Sequence, residues 1–175
     1  IVNANITNKI VIRTLTNSNH SADFALIVNK AIEKIINRLY SKSIVEMDII
    51  EKFVEHRYYG DNCLIILHGK DKVYQKHGLP LILNDKTIKY FTDYIDFYEI
   101  KSKYIHVLKG DLHQLGFQKC NKFTYRNFMS LAPPSNWQQH NFGDAYAGYS
   151  IQVIPKNSGE ISHTDYFIDY KKTSL

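Results

Sequence analysis

The chain has 175 residues, 44% of them hydrophobic and 22% charged, with a formal net charge of +5. That length supports a real core in a single domain, and the balance is ordinary for a globular protein. No apolar run reaches the ~18–20 residues of a membrane span, and two cysteines, Cys63 and Cys120, are too few for a disulfide framework.

In chain order, "KIVIRTLT" (residues 9–16) reads as a buried strand. It stops at Asn17, Ser18, Asn19 and His20, and a helical pattern starts at Ser21, a plausible N-cap. Phe24, Val28, Ala31, Ile32, Ile35, Ile36 and Leu39 recur at steps of three and four and make one apolar stripe. Residues 45–54 read as a second short helix or an irregular connection. Asp61–Asn62 is a turn signal, and "CLIILH" is a short buried strand. "NDKTIKYFTDYIDFY" predicts a helix capped by Asn84 or Asp85, with Ile88, Phe91, Ile95 and Tyr98 on one face. "KYIHVLKG" is a third buried strand, in which His106 is packed. "YAGYSIQVI" and "EISHTDYFIDY" predict two antiparallel strands joined through "PKNSG".

Strands alternating with helices, followed by a strand-rich end, define an α/β protein. Three of the strands end in polar clusters: Asn19–His20, His68–Gly69 and Gly110–Asp111–Leu112–His113. Ligands bind at the carboxyl ends of strands in such folds. Asn, His and Asp side chains suit borderline divalent ions such as Zn²⁺, Mn²⁺ or Fe²⁺. Turn chemistry accounts for any one cluster taken alone; the recurrence at three strand ends is the informative feature.

The order "SNHS", "LHG", "GDLH" resembles the calcineurin-like metallophosphoesterases, within them the Mre11/SbcD-related and bacteriophage branch. The resemblance runs over residues 9–154 and matches the C-terminal two-thirds of that family. It implies a four-layer α-β-β-α sandwich lacking its N-terminal strands, so residues 1–175 form a single, N-terminally incomplete domain. It implies that Asn19 and His68 ligate one metal, with Asp111 in the place of a histidine ligand, and that His113 ligates another. It implies that His20 is catalytic, acting on the phosphate rather than on a metal. The complete enzyme would use two divalent ions (Mn, Zn or Fe), clamping a phosphoryl group and supplying hydroxide.

Several departures accompany the resemblance. Ser18 and Ser21 replace the usual glycine and acid around Asn–His, and the family's opening DxH and GDxxD motifs are missing. The chain starts at Ile1 and enters a strand almost at once, so it reads as a fragment. The expectation is that this fragment binds at most one ion and leaves apolar edges for a missing N-terminal segment or a partner chain. The implied activity is a metal-dependent phosphodiesterase or nuclease acting on nucleic acid or a nucleotide, in the cytoplasm of a bacterial host and phage-encoded, without a membrane partner. Two alternatives stand beside it. One is a catalytically degenerate member serving as a structural or nucleic-acid-binding module. The other is a plain nucleic-acid-binding domain that uses basic and aromatic residues, among them Trp137, Phe142 and Tyr146, with salt-sensitive, metal-independent binding.

Overall fold

A computed structural model of the chain describes residues 9–16, 22–70, 78–136, 140 and 146–169. Asn19, His20, the Ser21 cap, Trp137 and Phe142 lie outside them. The chain divides into two compact units, Ile1–Glu55 and His56–Leu175.

The first unit holds strand β1 (Ile10–Leu15), helix α1 (Ala22–Leu39) and strand β2 (Val45–Ile50). β1 and β2 pair in parallel, from Ile10 opposite Val45 to Leu15 opposite Ile50, so α1 is the crossover that a parallel pair requires. β2 corrects the expectation of a helix or irregular segment over 45–54. Its acids Glu46 and Asp48 both meet cations beside or on β1. Lys9 Nζ lies 2.5 Å from Glu46, and Arg13 Nε lies 3.1 Å from Asp48. Val45, Met47 and Ile50 are buried. β1 is a strand as expected, but it alternates between half-buried and exposed residues rather than being buried throughout. α1 forms where the period puts it, yet its apolar stripe is largely exposed: Phe24 is 70% and Leu39 68% accessible. Among the described residues the sheet of this unit has two strands to lay against a helix of 18 residues.

The second unit is built on a five-stranded sheet in the order β3-β4-β5-β7-β6. The strands are β3 (Val54–Tyr59), β4 (Asn62–Leu67), β5 (Tyr104–Lys109), β6 (Gly116–Lys119) and β7 (Thr124–Asn127). β3 starts two residues before the division between the units, and Gly60–Asp61 turns it into β4. β4, β5 and β7 run parallel, and β6 is antiparallel to β7. Helix α2 (Asp85–Phe97) connects β4 to β5. Its cap is Asn84, whose side chain accepts from Thr87 N at 2.9 Å. Thr87, Phe91 and Ile95 are its buried positions; Tyr98 is already the C-cap and is exposed. Cys63, Ile65, Phe91, Val107 and Tyr125 are fully enclosed in the core. His106 is buried within β5, bonded to Asn62 and Thr124. β8 (Gly148–Val153) and β9 (Ser162–Phe167) form the expected antiparallel pair.

The chain is therefore an α/β protein with a central mixed sheet and, among the described residues, two long helices. No helix among those residues is long and apolar enough to cross a membrane.

Candidate functional site

Parallel pairing of β4 with β5 brings Leu67 opposite Lys109. The chain therefore leaves both strands side by side, and Gly110 N donates to His68 O at 2.9 Å. One residue further on, the Asp111 carboxylate meets the His68 imidazole, with Oδ1 and Nε2 3.2 Å apart. The Asp111 side chain is only 4% exposed and that of His68 23%. A buried carboxylate beside an imidazole at two adjacent strand ends is a cation-binding pair of donors.

The backbone around the pair is unusual. Asp111 has φ 77° and His113 φ 55°, left-handed values that ordinary residues rarely adopt. Each costs on the order of 1–3 kcal/mol, and such strain gathers at functional sites. Two glycines enclose the Asp111 side chain. A Cβ on Gly69 (φ 137°) would lie 2.7 Å from Asp111 Cβ, and one on Gly78 (φ 66°) would lie 2.6 Å from Asp111 Oδ2. The glycine after His68 thus has a steric reason: the Asp111 side chain occupies the space a side chain there would take.

Lys109, the last residue of β5, is the group that the sequence reading missed. It is 1% exposed. Its ammonium donates to Leu79 O at 3.1 Å and Gly110 O at 3.2 Å, tying the 78–80 segment to the start of the Asp111 turn. Burial pushes its pKa down to about 8, opposed by the charge of Asp111. The signal was present in the sequence: Ile105, Val107 and Lys109 share one face by the period of two, and the first two are core residues.

His113 lies in the same turn, and its carbonyl accepts from Tyr146 N at 3.2 Å. The structure thus brings His68 and Asp111 together. Among the described residues no group of three or more His, Cys, Asp or Glu side chains is gathered to hold a metal ion. Asn19 and His20 fall outside the described residues. The donors that are present suit a borderline divalent ion in kind, but two is fewer than the three protein ligands typical of a catalytic site.

No protein-family profile matches the chain, and no curated protein matches it. Solved structures with a partly similar backbone include a single mutant of Vps29 from Entamoeba histolytica. It has 10% identity and a TM-score of 0.43, covering 90% of this chain and 98% of that one. Another is a predicted phosphoesterase from Streptococcus pneumoniae, with 10% identity and a TM-score of 0.34, covering 90% of this chain and 97% of that one. At these scores neither likeness carries a conclusion for this chain.

Proposed function

We propose that the chain is a divalent-metal-dependent phosphoesterase of the calcineurin-like type, in its four-layer sandwich, acting on phosphodiesters of nucleic acid or nucleotides. The observation that carries this reading is the His68–Asp111 pair, held in a strained turn at the carboxyl ends of adjacent parallel strands. The order of the three strand-end motifs supports it.

In this reading Asn19, His68 and Asp111 would hold one ion, and His113 would serve a second. A bound divalent ion supplies charge for the phosphoryl oxygens and lowers the pKa of a water nucleophile. His20 orients the phosphate and protonates the leaving oxygen. Lys109 keeps the turn that carries Asp111 in register with His68. Gly69 and Gly78 leave room for the Asp111 carboxylate between them.

A specific observation favours the degenerate alternative. His68 Nε2 and Asp111 Oδ1 lie within ion-pair distance of one another at 3.2 Å, and among the described residues they gather no third His, Cys, Asp or Glu. In that case the pair is a structural ion pair, and the domain serves as a structural or nucleic-acid-binding module.

Calorimetric titration with Mn²⁺, run beside hydrolysis of bis-p-nitrophenyl phosphate, decides between them. The phosphoesterase reading expects Mn²⁺ uptake that His68→Ala and Asp111→Asn weaken. It expects His20→Ala to keep the metal but lose about 10²–10⁴ of any turnover, the usual contribution of a general acid–base group. A folded wild-type chain that takes up no divalent ion at all sinks that reading and leaves the degenerate one.

A further inference from the structure

We propose that the opposite end of the five-stranded sheet carries a second binding site, for a nucleoside monophosphate. A cavity of about 580 Å³ opens there, a size within the usual range for small-molecule sites. Its floor is the start of β5 (Tyr104–His106) and of β7 (Thr124). Its sides are the turn from Lys119 to Phe123 and the loop Ser158–Ile161 between β8 and β9. β5 and β7 are parallel, so these are the amino ends of strands whose carboxyl ends face the His68–Asp111 site. A strand length, roughly 17–20 Å, separates the two.

The lining contains two chemistries. Phe117, 54% exposed, offers an aromatic face against which a planar base can stack, and the half-buried Tyr104 and buried Phe123 complete the aromatic part of the lining. Lys103, Lys119 and Lys122 supply ammonium groups. Lys103 Nζ stands 5.3 Å from the Tyr104 ring centre. Lys122 is half-exposed and bonds Asp96 at 3.1 Å, a surface pair that a phosphate can outcompete.

The acid and base content fixes the sign of the ligand. Glu160 is the one carboxylate among the lining residues, and both its oxygens are engaged. One accepts from Arg126 Nη2 at 2.7 Å and the other from Gln152 Nε2. Arg126 is itself held under the Phe117 ring, 4.3 Å from its centre. Thus the one acid of the described lining is already paired. His106 has both ring nitrogens bonded, at 2.9 Å to Thr124 and 3.2 Å to Asn62, and burial favours its neutral form. What remains is an excess of lysine charge beside aromatic surface. An anion carrying an aromatic ring fits both, whereas a purely apolar ligand leaves the lysine charge unmatched and a cation is repelled by it. Asn121, on the same turn, offers an amide to the edge of a base.

This site stands independently of the proposed activity, and the experiment keeps the two apart. AMP is titrated into the full chain by calorimetry, in EDTA and at low salt, so that no divalent ion serves the other site. Ribose 5-phosphate is titrated in parallel as the same anion without a base. The expected result is saturable one-to-one AMP binding, at least tenfold tighter than ribose 5-phosphate. Lys119→Glu, an exposed position, should weaken AMP binding at least tenfold, and Phe117→Ala several-fold. His68→Ala should leave it within twofold. Circular dichroism confirms that each variant is folded, and should Phe117→Ala fail to fold, Lys119→Glu carries the test alone. No saturable AMP binding into the millimolar range overturns the proposal. So does equal affinity for ribose 5-phosphate, or binding lost with His68→Ala and kept with Lys119→Glu.

Discussion

His68 Nε2 and Asp111 Oδ1 sit 3.2 Å apart, although 43 positions separate them in the chain. Parallel pairing of β4 and β5 delivers them to one edge, and a left-handed backbone at Asp111 aims the carboxylate back at the imidazole. Two consequences of that turn, one for metal binding and one for stability, are open to measurement.

Asp111→Asn keeps the shape of the side chain and removes its charge. Mn²⁺ affinity should fall at least tenfold, or about 1.4 kcal/mol, and the unfolding midpoint should fall as well, because the buried Lys109 loses the nearby negative charge that offsets its burial. Calorimetric titration and urea denaturation of the same sample give both numbers. Unchanged affinity would show that Asp111 is not a ligand.

Gly69→Ala should destabilise the protein. The added Cβ would lie 2.7 Å from Asp111 Cβ, at a φ of 137° that side chains avoid. A loss of about 1–3 kcal/mol is expected for forcing such a backbone, read as a lower urea midpoint. Mn²⁺ affinity should drop along with it, because Asp111 must shift to make room.

Lys109 predicts a pH dependence of an unusual sign. Its folded pKa of about 8 lies below the ordinary 10.5, with burial as the main cause. Between those values the unfolded chain holds more protons than the folded one, so stability rises with pH across this window. Below about pH 8 the folded chain carries a buried ammonium and bears its full cost. Lys109→Met should flatten the rise. Urea midpoints from neutral pH to about pH 10, in EDTA, compare the two proteins; parallel curves would refute the assignment.

Asn84 caps α2 through its bond to Thr87 N. Asn84→Ala should cost about 1 kcal/mol, the usual worth of an N-cap. Asn84→Ser, which keeps an acceptor, should recover most of it.

The residues themselves determined the α/β alternation. The stripe of α2 and its Asn84 cap, the apolar runs of β4 and β5, and the β8–β9 pair are local patterns that act within a few residues. Periodicity and capping depend only on neighbours in the chain, so they can be read without the fold. The sequence also marked His68 and Asp111 as strand-end polar residues. Tertiary structure decided the rest. β2 is a strand because it pairs along its length with β1, 35 positions away, and buries Val45, Met47 and Ile50, while Lys9 and Arg13 meet its acids Glu46 and Asp48. β6 and β7, four residues each, are too short to show a period and exist through their pairing with each other and with β5. The stripe of α1 correctly predicted a helix, but burial of its face required a surface opposite, which is a property of packing and not of the stripe. Lys109 was not singled out from the sequence; its place on the core face of β5 follows from the period of two, but its hold on the carbonyls of Leu79 and Gly110 is seen only in the fold. The left-handed turn at Asp111 and the space at Gly69 and Gly78 follow from the same cause. Gly69, Gly78 and Asp111, the last more than 30 positions from either glycine, compete for one small volume, and only their joint packing determines which residue occupies it.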